Sequence, residues 1–229
     1  MKFTTTDLTK SQTEILKFPD HYVAMPVTVD DDGISAGSNG KKIVPAGTIV
    51  GNATAGGTLA DDTKKVKVHA PAALSTDLAG DDNDLVYTAK VNRTIKIAYI
   101  DPSANDQALS VSVTVDTINV SLKTGSGGEI ESTAAEVKAA IEAHYQANEL
   151  VSIADKGEDD GSGAVIAMAA ATLTGGIPAE GILLNDVDVT SGDMSGAMLV
   201  HGFVATAKLP TAPSTQARKD LEGRIVFIK

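Results

Sequence analysis

The sequence predicts a mainly β protein with a minor α component (α+β): a small β-rich body carrying an inserted β-β-β-α-β-β domain. Three observations lead there. Aromatics make up only 3% of the 229 residues and Trp is absent, while small and β-branched residues abound, which suits thin strands and many turns. Period-two alternation recurs, most clearly in "ALSVSVTVDTINVSLKT". There Ser110, Ser112 and Thr114 fall on one face and Val111, Val113 and Val115 on the other. One segment alone, "STAAEVKAAIEAHYQAN", reads as a clear helix. The length leaves room for one large domain or two small ones.

Residues 1–22 read as an arm. "TTTDLTKSQTE" is polar and has no sustained period, and Phe3, Leu8, Ile15, Leu16 and Phe18 are scattered apolar handles, so the segment reads either as a frayed terminus or as an arm that orders on a partner surface. The β body begins at Val23 with the strand "YVAMPVTV", where Pro26 marks an edge or a bulge. A turn-rich loop, "DDDGISAGSNGKK", follows. "KIVPAGTIVG" then gives two extended pieces around a turn at Pro45–Gly47. After the loop "NATAGGTLADDTKK", "KVKVHAPAAL" alternates until Pro71 cuts it, and "AGDDNDLVYTAKV" is an acidic loop entering a strand.

At Arg93 the texture changes. Strands "TIKIAYIDP" and "ALSVSVTVDTINVSLKT" lead through a "GSGGE" hairpin loop to the helix. Ser132 or Thr133 is its N-cap, with Glu136 at capping-box spacing from Thr133. Val137, Ile141 and Tyr145 step along one helix face. A strand, an acidic Gly-rich loop and a last strand close the stretch at Gly175-Gly176. Residues 93–176 hold 5 basic and 12 acidic side chains, a net of −7 out of the chain's −11. This distinct charge and texture predicts an inserted domain at 93–176, between body segments 23–92 and 177–229. The second body segment reads as a strand, a Ser-Gly turn and a long strand. A helical turn at 215–222 and a last strand "RIVFI" follow.

Composition excludes several functions. A net charge of −11 and a pI near 4.7 disfavour gripping a phosphate backbone or an anionic membrane, so neither nucleic acid nor membrane is an expected partner. No cysteine is present, which removes disulfides, thiolate metal sites and a cysteine nucleophile. "MKFTTTDLTKSQTEILKF" shows no apolar core of a secretory signal. No apolar run approaches the roughly 18 residues of a membrane span. The chain is expected to be soluble and made in the cytoplasm.

The chemical motifs fail on context. "GISAG" (Gly33–Gly37) matches a nucleophile elbow in letters, but "DDD" precedes it and "SNGKK" follows, with no strand–helix frame. "GSNGKK" lacks the phosphate-loop spacing. Asp186, Asp188 and Thr190 recur like calcium ligands, yet positions 191 and 197 are Ser and Ala where an EF-hand loop needs Gly and Glu. "DDND" at 81–84 and "EDD" at 158–160 read as solvated loops. His21, His69, His144 and His201 include no pair at zinc-ligand spacing. His201 shares a period-two face with Leu199 and Phe203 and is expected to be hydrogen-bonded and partly buried. No catalytic, cofactor or metal residues are therefore expected, and no enzyme.

Two blocks carry a resemblance: "IVPAGTIVG" (43–51) and "GILLNDVDVTSGDMSGAMLVHGFVATAKL" (181–209). Together they resemble the head decoration (capsid cement) proteins of tailed bacteriophages, the family of the phage lambda decoration protein. The resemblance implies a non-enzymatic, β-rich homotrimer on the outer surface of the virion capsid. Its partner would be the major capsid protein, and it would stabilise the expanded head against internal DNA pressure. On that reading Phe3, Leu8, Ile15, Leu16 and Phe18 are the capsid-binding handles, and Pro45, Gly47, Leu199, His201 and Phe203 pack the body or trimer. The insert at 93–176 departs from a minimal decoration protein and resembles a module of other phage virion proteins. The alternatives are a head fibre or tail-tube subunit and, from another class, a secreted hydrolase or a calcium-dependent adhesin.

Overall fold

The structure, a computed structural model, describes residues 14–52, 57–61, 63 and 65–229. The named elements of the described residues run first through β1 (Val23–Val29), β2 (Ile43–Val44), β3 (Ile49–Gly51), the one-turn helix α1 (Gly57–Ala60) and β4 (Lys65–Val68). Next come β5 (Ala73–Ser75), β6 (Leu85–Ala89), β7 (Lys96–Ile100), β8 (Ser110–Thr114), β9 (Thr117–Ser121), α2 (Ala134–Ala143), α3 (Tyr145–Leu150), β10 (Val151–Asp155) and β11 (Met168–Thr172). They close with β12 (Gly181–Leu183), β13 (Val187–Asp188), β14 (Met194–Ala205), α4 (Thr215–Asp220) and β15 (Ile225–Ile228). The molecule is mainly β, with several sheets and few short helices.

The chain forms two compact units. One comprises the described residues up to His69, Ile177–Pro213 and Ala217–Lys229; the other comprises Ala70–Gly176 with Ser214–Gln216. The sequence reading puts the insert's start at residue 93, and the strand pairing moves it to Ala70. β6 pairs along its whole length with β10, from Leu85 opposite Asp155 to Ala89 opposite Val151, and β5 pairs with β6. Residues 70–92 therefore belong with the later strands, and the charge change at 93 falls inside the unit.

In the first unit, five strands close on themselves. β1 pairs with β4 and with β14, β14 with β12, β12 with β3, and β3 with β4. Only the β1–β4 pair within this ring is parallel. Closure leaves this ring without a free edge. Each of its strands sends residues inward: Val27 and Val29, Val50, Val66, Leu183 and Met198 share one core with Val44, Val187 and Val189. Valine fits because few strands leave a narrow interior. The opposite strand faces, with Ile49, Ile182 and Leu199, meet Ile15, Leu16, Val204, Ala217, Leu221 and Ile225 in a second core outside the ring.

β14 carries a bulge that changes the expected facing. Val23 registers with His201, but Ala24 registers with Leu199, so Val200 is an extra residue. Leu199 is fully buried while His201 is exposed and Phe203 half-buried. The three do not share one face, and His201 is not the partly buried histidine that strict alternation implies.

The second unit has two open sheets, β10-β6-β5 and β11-β7-β9-β8, the β7–β9 pair being parallel. They enclose one core built from Tyr87, Tyr99, Ile95, Ile97, Ile118 and Val120, closed by Val137 and Ile141 of α2. The Tyr87 and Tyr99 hydroxyls hydrogen-bond to each other inside it. Burial pushes both phenols up, Tyr99 to about 12, so both stay neutral. Thr133 caps α2 in a capping box with Glu136, as its sequence predicts. α2 stops at His144, whose Nδ1 then accepts the Ala147 N–H and starts α3. Tyr145 consequently leaves the Val137–Ile141 face and is 79% exposed. Val115 likewise leaves the Val111–Val113 face: it sits in the β8–β9 turn at φ +58°, 88% exposed.

Candidate functional site

The first described residues join the body. The Ala205 N–H donates to the Ile15 carbonyl at 2.9 Å and the Lys17 N–H to the Phe203 carbonyl at 2.8 Å. Residues 15–17 thus add a short antiparallel strand to the end of β14, opposite the edge used by β15. Ile15 and Leu16 are 1% and 8% exposed, packed in the outer core. They are therefore not free handles for a capsid, and the expected arm 1–22 is anchored in the body from residue 15. Apolar residues on an added strand bury against the sheet that they join. Phe3 and Leu8 lie outside the described residues.

Phe18 is different. It is 50% exposed and meets Phe203 edge-to-face at 5.3 Å. The chain then turns, the His21 N–H donating to the Phe18 carbonyl at 3.3 Å. This brings the His21 ring within 5.5 Å of His201 and 5.7 Å of Phe203. Gly202 permits the approach: its φ is +155°, and a Cβ there would lie 3.2 Å from the Tyr22 Cβ. Tyr22 and Val23 continue the surface at 46% and 55% exposure, and Val226, in register with Phe203, adds 48%. The result is an exposed patch of aromatics and two histidines on the first unit, of the kind that marks interaction sites. The sequence gives no local sign of it, because its two halves meet only through pairing with β14.

Pro45 and Gly47 sit on another part of that unit. The Ala46 N–H donates to Asp186 Oδ1 at 2.7 Å and the Gly47 N–H to the Leu183 carbonyl at 2.8 Å. Gly47 has φ +86°, and a Cβ there would lie 2.8 Å from Pro210 Cδ, so the turn requires glycine. Pro45 is exposed and Gly47 buried. Blocks 43–51 and 181–209 are thereby hydrogen-bonded neighbours: Val44 registers with Val187 and Ile49 with Ile182.

The acidic motifs are occupied by the protein itself. Asp188 accepts the Thr190 hydroxyl and N–H and the Lys41 ammonium, which hold its carboxyl down to about 2. Asp30, Asp31 and Asp193 have carboxylates within 4.8 Å of one another. They are matched by Lys67, Lys42 and Lys65 respectively, so the cluster is a charge network. In the second unit, burial pushes the Asp84 carboxyl up. The Leu78 N–H, Lys156 and the Thr76 hydroxyl outweigh it and leave it below the usual range. Asn83 ties Ala79 to Ala164, and Asp159 accepts the Asp84 N–H. Ser35 of "GISAG" lies exposed in a loop with no helix after it.

His69 donates from Nδ1 to the Ile177 carbonyl at 2.6 Å, and burial holds its pKa down. His144 is the α3 cap. A shallow depression of about 530 Å³ in the second unit is lined by Asp106, Gln107, Lys123, Ser126 and Glu131; it joins no nucleophile to a base. Among the described residues, no helix is long and apolar enough to cross a membrane. Comparison with protein-family models, with curated proteins and with solved structures returned no match.

Proposed function

We propose that the protein is a bacteriophage capsid decoration protein. It binds the outside of the expanded head as a homotrimer and stabilises the shell against internal DNA pressure, without catalysis. One observation supports this above the others. The two blocks that resemble the decoration family, separated by well over a hundred residues of chain, pair as neighbouring strands, Val44 with Val187 and Ile49 with Ile182. On this reading the contact with the major capsid protein uses the exposed Phe18, Tyr22 and Val23, with the half-buried Phe203 packed against Phe18. Many copies on one lattice supply avidity without individually tight contacts. The net charge of −11 keeps the free protein soluble.

The test is co-sedimentation with expanded, decoration-free heads of its own phage, with unexpanded proheads alongside. Saturable binding to expanded heads alone is expected. The double variant Phe18→Ala, Tyr22→Ala should lose head occupancy with little change in melting temperature. Absence of binding to either shell overturns the reading. A truncation to probe the arm should stop at residue 13, because deletion beyond it removes Ile15 and Leu16 from the core.

A further inference from the structure

We propose that His21 and His201 together bind a divalent transition-metal ion of the Zn²⁺ class, and that the ion ties the N-terminal segment to β14. The two residues lie 180 positions apart in the chain, and the fold brings their rings to 5.5 Å between centroids with planes at 68°. Zinc takes imidazole nitrogen at about 2.0–2.1 Å in tetrahedral geometry. Two nitrogens on one ion then lie roughly 3.3 Å apart, with ring centres roughly 5–6 Å apart. The observed spacing already falls in that range. Both residues are exposed, so their rings have room to rotate between rotamers and bring a nitrogen from each toward one ion.

The backbone beneath the pair is held. His201 lies in β14 opposite Val23. The His21 N–H is bonded to the Phe18 carbonyl, and its own carbonyl packs by Gly202. Such fixing lowers the entropy cost of chelation. The neighbouring ring is that of Phe203, which offers no positive charge against an ion. His69 and His144 are committed elsewhere, to the Ile177 carbonyl and the Ala147 N–H. The acidic trio at Asp30, Asp31 and Asp193 is matched by lysines. Two imidazoles leave positions open for water. The inference is independent of the capsid reading.

The test is calorimetric titration of the full-length protein with ZnCl₂ at neutral pH, with histidine ring signals followed by NMR. One ion per chain is expected, perturbing two histidine rings and raising the melting temperature. His201→Ala and His21→Ala should each bind about tenfold more weakly or not at all, since loss of one ligand removes the chelate advantage. Asp193→Asn should bind as the parent does. His201→Gln provides a second variant should the alanine form be unstable without metal. Absence of stoichiometric uptake by the parent overturns the proposal. So does unchanged affinity in both His201 variants, or loss of binding in Asp193→Asn alone.

Discussion

The two units solve the same burial problem in different ways. The first closes five strands into a ring and fills it mostly with valine. The second leaves its sheets open and fills a wider core with isoleucines and a hydrogen-bonded tyrosine pair, capped by a helix. A closed ring needs small side chains but no edge protection. An open sheet accepts bulk but must manage its edges. The acidic excess falls mainly in the stretch 93–176, within the open-sheeted unit, where like charge also discourages edge-to-edge pairing.

Matched truncations give the largest test of this contrast. Leu183→Ala in the ring and Ile118→Ala in the second core each remove a fully buried side chain, and each should cost about 3 kcal/mol. Scanning calorimetry should show the loss in a different transition for each; one common shift would break the two-unit comparison. Next comes Tyr87→Phe, which strands the Tyr99 hydroxyl in the core and should cost about 1–3 kcal/mol by denaturant unfolding. Thr133→Ala removes the capping box of α2 and should cost about 1 kcal/mol.

Val115→Gly should go the other way. It relieves a β-branched residue at positive φ and should stabilise by roughly 0.5 kcal/mol, relief outweighing the entropy of glycine. Val111→Gly, in the adjoining strand, should destabilise. The smallest effect is on acid sensitivity. The Asp188 carboxyl sits at about 2 against an ordinary 3.8. Its contribution is full above pH 4 and fades as pH falls toward 2. Asp188→Asn should therefore flatten the loss of stability in that window, seen in melting temperatures across pH.

Legibility follows the same division. The helix, its cap and the strands β7 to β9 are readable because their determinants are local: a Thr133–Glu136 spacing and an alternation of valine with polar residues. The break at His144 was not, since it depends on one side chain capping the next helix. The first unit hid more. β2 and β13 are two residues each, too short for any period to register. β14 changes face at the Val200 bulge, which no alternation rule anticipates. The second unit's true start was masked because strand β6 finds its partner beyond residue 150. The histidine pair was invisible for the same reason: β1 must lie against β14 before His21 and His201 can meet.

The hydrogen bond from His69 to the Ile177 carbonyl has a mechanical consequence. It joins the residue where the chain leaves the first unit to the residue where it returns. A tug on the two chain ends should therefore fall first on the ring and on the strands at residues 15–17 and 225–228, and spare the intervening Ala70–Gly176 segment. Under load the second unit should stay folded until the ring tears, so that a stretched molecule yields in two steps.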